Sequence, residues 1–181
     1  GNNTRAQYGH SDSLNEDDPV IFWPDELVAN GLDTSKVQQL VCGYQVSALV
    51  YDGHLYMWGN ANACSNMRAA MRGPDGNGYD GVKKVSLTNY YVTLLMEDGS
   101  IVSPDNILKP ESARSSRGQS VRLLSYLETK KVKDIDASNN CFAFVTEDGE
   151  VLVQGASTYG EAKCNLPAGE KAVKITAGAF H

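Results

Sequence analysis

The chain has 181 residues, 41% of them hydrophobic and 21% charged, the make-up of one ordinary globular domain or two at most. That excludes a collagen-like or wholly disordered chain, and no run approaches the roughly 18 apolar residues that a membrane-spanning helix needs. Sixteen basic and twenty-two acidic residues leave a net charge of −6; an acidic surface repels phosphate backbones, so no nucleic-acid partner is expected.

Four cysteines without a disulfide framework or ligand spacing read as reduced and structural, and on that ground a cytoplasmic or nuclear location is expected. Asp12, Glu16, Asp17 and Asp18 form an acidic cluster that suits a cation, a basic partner or a solvated loop; it lacks the spacing and central glycine of a calcium loop. A weak strand is expected at Ile21-Phe22-Trp23. Trp23, beside Pro24, is a candidate partner anchor, because tryptophan is enriched at interfaces, with simple packing as its other reading.

From there a repeat dominates. Asp52-Gly53, Asp98-Gly99 and Asp148-Gly149 each follow an apolar run, with separations of 46 and 50 residues. The runs before them are Val46–Tyr51, Val92–Glu97 and Phe142–Glu147; those after them are His54–Trp58, Ser100–Val102 and Glu150–Val153. Asp-Gly between β-formers marks a hairpin, since glycine accepts the positive φ of a tight turn. Several runs are apolar on both alternating sets of positions, which suits strands covered on both faces.

An earlier strand precedes each hairpin. It reads Val37-x-x-Leu40, Val82-x-x-Val85, Val132-x-x-Ile135 and finally Ala172-x-x-Ile175. Turn-forming pairs follow it: Cys42-Gly43, Thr88-Asn89, Ser138-Asn139 and Ala177-Gly178. The expected segmentation is 1–36, the end of a preceding unit; 37–81; 82–131, with a long irregular loop at 103–120; 132–171; and 172–181, the start of another. Ser120–Lys131 fits helix and strand equally, and the repeat context favours an edge strand and turn. Units of about 40–50 residues with four short strands suit propeller blades, which bury both sheet faces by stacking radially. The expected fold is therefore all-β: four-stranded antiparallel blades, three to four of them, in an open arc or part of a ring.

These residues resemble the repeats of the regulator-of-chromosome-condensation family. The first unit carries Val37, Leu40, Cys42-Gly43, Ala48-Leu49, Asp52-Gly53, Tyr56, Trp58-Gly59 and Asn60, and is one residue short around Tyr44-Gln45. The third carries Val132, Ile135, Ala143-Phe144, Asp148-Gly149, Val151 and Gly155. The second departs most, with Ser103-Pro104 in place of Trp-Gly and Tyr91 in place of the usual His. The resemblance implies that Gly43, Asp52, Gly53, Trp58, Gly59, Asp98, Gly99, Asp148, Gly149 and Gly178 are structural. It also implies a ring of more blades than this chain holds, so further blades or self-association are expected to close it.

No chemistry-bearing motif competes with that reading. Phosphate loop, dinucleotide fingerprint and nucleophile elbow are all missing from the sequence. Cys42, Cys64, Cys141 and Cys164 show no metal-ligand spacing, and Cys42 and Cys141 sit in apolar runs as small hydrophobes. His54, after a hairpin turn, is expected to face solvent. No catalytic residue, metal or cofactor is expected. Arg114, Arg117 and Arg122, in a serine-rich segment, are the best candidate for a local basic patch and the other candidates for partner binding, since long loops on rigid scaffolds collect binding residues. The expected function is a non-catalytic protein-interaction scaffold. The resemblance adds narrower alternatives: nucleotide exchange on a small GTPase, substrate recruitment in the ubiquitin pathway, or propeller-type enzyme inhibition.

Overall fold

The computed structural model describes residues 23–60, 65–104, 108, 112–139, 141–155 and 163–178. Asp12, Glu16, Asp17, Asp18, Ile21, Phe22 and Cys64 lie outside them. A short helix α1 (Asp25–Ala29) and a 3-10 turn (Thr34–Lys36) lead into β1 (Val37–Cys42), β2 (Val46–Tyr51) and β3 (His54–Gly59). After α2 (Ser65–Arg72) come β4 (Val82–Leu87), β5 (Val92–Met96) and β6 (Ile101–Val102). Then follow β7 (Ser112–Ser115), β8 (Ser120–Arg122), α3 (Leu123–Thr129), β9 (Val132–Ala137), β10 (Cys141–Thr146) and β11 (Val151–Gly155). They form three antiparallel sheets, β1-β2-β3, β4-β5-β6 and β8-β7-β11-β10-β9.

The sheets stack through their innermost strands, with β1 beside β4 and β4 beside β9. Alternation along each middle strand sends neighbouring side chains to opposite interfaces. Leu94 joins Val46, Ala48 and Val50 in the core between the first two sheets. Leu95 points the other way, into the core with Ile135, Phe144 and Leu152. Both faces of β2, β5 and β10 are therefore buried, which is why these runs are apolar throughout.

Polar bonds repeat with the blades. The third residue of each inner strand is Gln39, Lys84 or Asp134, and each reaches the next unit. Val85 N–H donates to Gln39 Oε1 (2.7 Å), and Gln39 Nε2 donates back to Val85 C=O (3.0 Å). Lys84 Nζ donates to Asp134 Oδ1 (2.7 Å), whose other oxygen accepts from Ile175 N–H (2.8 Å). The turn glycines do the same from the backbone: C=O of Gly53, Gly99 and Gly149 accepts from N–H of Val82, Val132 and Ala172 at 2.8, 2.9 and 2.9 Å. Ala172–Ala177 thus occupies the place of a fourth inner strand. The strands are short, so this lattice of inter-blade bonds fixes the stacking that apolar burial drives.

The first unit is short in its hairpin, not at Tyr44-Gln45. The loops opening at Gly43, Thr88 and Ser138 each close by an N–H to the C=O three residues on, to Val46, Tyr91 and Cys141. From those residues Asp52 is six away, and Asp98 and Asp148 are seven. The reason is conformational: Asp52 itself takes φ +50° before Gly53 at +78°, so two residues make the turn. In the other units Gly99 N–H bonds Met96 C=O while Met96 N–H bonds Ser100 C=O, and Thr146, Gly149 and Glu150 repeat that pattern, which needs three. Gly59 stands where strand crowding forbids a side chain: a Cβ there would lie 2.3 Å from Gln45 C=O.

Other expectations are corrected. Ser120–Lys131 is a three-residue strand followed by helix α3, because Leu123 and Leu127, one turn apart, drop into the second core. The segment 103–120 is not wholly irregular, since β7 lies within it. Cys42 is exposed, because β1 alternates half-buried and exposed residues and Cys42 falls on the open set, whereas Cys141 is buried. Leu40 is 50% exposed while its counterparts Val85 and Ile135 are each 1% exposed; they face a preceding blade, and no described sheet precedes β1. His54 is half-buried, with Nδ1 2.6 Å from Asp80 Oδ1, instead of facing solvent freely.

Candidate interaction surface

The serine-rich segment builds an outer ribbon on the third blade. Gly118, at φ +75°, closes a turn in which Gly118 N–H bonds Ser115 C=O (2.9 Å) and Ser115 N–H bonds Gln119 C=O (3.0 Å). β7 then pairs with β11, Leu152 opposite Ser115 and Val153 opposite Arg114. Ser116 N–H adds a bond to Val151 C=O (2.8 Å). Chain that precedes the blade in sequence therefore supplies its two outermost strands.

Strand alternation sorts the side chains. Ala113 and Ser115 face the core, each 1% exposed, while Ser112 and Arg114 face outward. Arg122 pairs with Ser112, so Arg114 and Arg122 share the outward face. Neither has an ion pair among the described residues. Arg117, in the turn, is instead engaged: Nη2 lies 3.5 Å from Asp148 Oδ2 and Nε 3.6 Å from Glu150 Oε1. Trp23 is half-buried ahead of Pro24 and α1, in the segment that enters the first blade, and is not part of the ribbon.

Beneath Arg117 lies a charge network that sequence reading missed. Glu150 has a side chain only 2% exposed. It accepts from the Ser115 hydroxyl and from Tyr126 Oη (2.6 Å). The bond to Glu150, with burial, raises the Tyr126 phenol above its ordinary pKa. Lys130 Nζ bonds Asp148 Oδ2 (2.5 Å) and stands 5.7 Å from the Tyr126 ring centroid. One hint was legible: Glu150 follows Asp148-Gly149 where the other hairpins have Ser100 and His54. Every carboxylate oxygen named here is spent on a donor of the same blade, so the network fastens ribbon, helix α3 and hairpin together. Asp148, read as a turn residue, is also the anchor of that network.

Lys130, then the Thr146 hydroxyl, hold the Asp148 carboxyl down at about 2 from an ordinary 3.8. A folded pKa below the unfolded value means that the unfolded chain binds the proton first. The stabilisation is therefore full above about pH 4 and is lost as pH falls toward about 2. Asp148→Asn is expected to flatten the acid limb of a Tm-against-pH curve across that window while shifting the neutral-pH Tm only modestly, since Asp148 is 40% exposed and solvent screens its pairs. An unchanged acid limb would show that the pair does not persist in solution.

No family model matches the chain, and no curated protein matches its sequence. Solved structures match its fold. The CRINKLY WD40 ectodomain of the Arabidopsis thaliana receptor kinase ACR4 superposes with a TM-score of 0.53 at 11% identity, over 78% of this chain and 44% of that one. Human WBSCR16 superposes at 0.50 and 15% identity, over 78% and 42%. Prp20p from Saccharomyces cerevisiae is a looser likeness, at 0.48 and 18%, over 73% and 34%. The chain thus spans less than half the length of these solved chains. With the radial stacking and repeated inner-strand bonds, the first two superpositions define the class: an all-β, β-propeller-type fold, here an arc of antiparallel blades.

Proposed function

We propose that the chain is a non-catalytic protein-interaction scaffold built of regulator-of-chromosome-condensation-type blades, working in the cytoplasm or nucleus. The observation that carries this reading is the division of labour among the arginines. Arg117 is spent on Asp148 and Glu150, whereas Arg114 and Arg122 stand outward on a ribbon clamped to the blade. Cations held at fixed spacing on a rigid sheet lose little entropy on binding and suit recognition of a partner's carboxylates.

The test is cross-linked capture of partners by the wild-type chain and by Arg114→Glu/Arg122→Glu. The exposed reversals are expected to leave stability within about 0.5 kcal/mol and to reduce capture of a reproducible partner set about tenfold or more. Capture unaffected by the reversals, or no reproducible partner, would overturn the reading. Release of labelled GDP from a panel of small GTPases separates nucleotide exchange from plain scaffolding and from ubiquitin-pathway recruitment.

A further inference from the structure

The ribbon 112–122 holds four serines among its arginines, and the fold sorts them. Ser115 is 1% exposed and donates to Glu150. Ser116 is half-buried, and its Oγ accepts from Val151 N–H (3.2 Å). Both hydroxyls serve the blade. Ser112 and Ser120 are exposed and alternate with the outward arginines: Ser112 pairs with Arg122, and Arg114 with Ser120. Each of these serines has one arginine directly across the ribbon, about 5 Å away at Cβ, and the other two residues along its own strand, about 7 Å away. The exposure of Ser120 does not depend on whether another blade follows. The first two sheets are three strands wide; a neighbour of that width stacks on β9, β10 and β11, and β8 lies two strands beyond it.

We propose that Ser120 is a phosphorylation site, and that its phosphate closes the basic face of the ribbon by pairing with Arg114 and Arg122. Ser120 is a better acceptor than Ser112. β8 is three residues long and is held by one neighbouring strand among the described residues, so it lifts into an extended cleft without breaking the pairing of β7 with β11. Arg117 precedes it by three residues and Arg114 by six, a charge pattern that an acidic kinase cleft reads. The γ-phosphoryl group of a nucleoside triphosphate passes to Ser120 Oγ. The new O–P bond forms as the bond to the leaving diphosphate breaks, and the hydroxyl proton goes to the kinase's base. A phosphoserine carries about −1.5 to −2 charges at neutral pH, which cancels the two guanidinium charges. Its three oxygens suit bidentate bonds from both arginines. The site itself stands apart from the scaffold reading; its effect on partner capture rests on that reading, because the phosphate takes the place of a partner's carboxylates.

The whole chain is incubated with ATP and a panel of arginine-directed serine kinases, and the modified positions are mapped by mass spectrometry. Phosphate is expected on Ser120 ahead of Ser112 and absent from Ser115 and Ser116, and Ser120→Ala is expected to lose most of the incorporation. Failure of every kinase at Ser120, or equal modification of Ser116, would overturn the site. Phosphoserine placed at 120 by codon reassignment then tests the pairing through a phosphorus NMR titration. Its second pKa is expected to fall about half a unit or more below the ordinary value of about 6 and to recover in Arg114→Gln/Arg122→Gln. An unshifted phosphate would overturn the pairing. The phosphoserine form is also expected to lose partner capture about tenfold, as Arg114→Glu/Arg122→Glu does. Full capture by the phosphorylated chain, with the reversals still abolishing it, would overturn the closing role alone. If Ser120 is modified and its phosphate is paired while neither change affects capture, the scaffold reading falls and the modification site stands.

Discussion

Phe144→Ala is expected to lower stability by about 3–5 kcal/mol, the largest effect of any single substitution considered. Phe144 lies in the middle of β10 and is 1% exposed. It packs in one cluster with Leu95 of the second blade and with Ile135 and Leu152 of its own, so the ring joins two sheets. Truncation removes that contact and leaves a cavity between sheets that Lys84–Asp134 and Gly99–Val132 bonds hold at a fixed separation. A site that cannot collapse pays the upper part of the range. Thermal melting should show a drop of roughly 10 °C or more for a chain of this size. A drop under about 2 °C would mean that the second and third blades do not stack through this face.

The second large effect concerns Glu150, and it has an asymmetry. Removing the donors is expected to cost more than neutralising the acceptor. Ser115→Ala/Tyr126→Phe leaves a buried carboxylate whose one remaining side-chain partner among the described residues is Arg117 Nε, at 3.6 Å, and an under-compensated buried charge costs about 3–5 kcal/mol. Glu150→Gln keeps a polar group in the same place and discards the charge, at about 1–3 kcal/mol. Urea denaturation of both variants decides the matter. If Glu150→Gln proves the more damaging, the charge itself is stabilising here, and the network is held by Arg117 more than by the hydroxyls. Either way the ribbon is expected to loosen first, because Ser115 and Tyr126 are its ties to the hairpin.

The fold was legible because its physics is local and repeated. Asp52-Gly53, Asp98-Gly99 and Asp148-Gly149 announced hairpins through turn chemistry. The Val-x-x-apolar strands announced inner strands through spacing, and runs apolar on both faces announced stacking. The one-residue difference between units was visible as a count, but its location was not: only the backbone shows that Asp52 adopts positive φ and so shortens the turn. Helix α3 was hidden for a related reason. Val121, Leu124 and Leu127, spaced three apart, suit helix and edge strand alike, and the core that takes Leu123 and Leu127 decides between them.

The candidate site was legible only in part. Arg114, Arg117 and Arg122 stood out as a basic run, but sequence treats them alike. Pairing sends Arg114 and Arg122 to one face and the turn carries Arg117 to Asp148 and Glu150. Glu150 showed only as an odd residue after Asp148-Gly149; its buried bond to Ser115, 35 residues away, did not show. By itself, then, the sequence determined the repeat, the strand and turn chemistry within each unit and the all-β class, since each rests on neighbours in the chain. The tertiary structure decided which strands outside the repeat join which sheet and which charges are spent within the third blade. Those depend on contacts between residues distant in sequence, and strand register sets them.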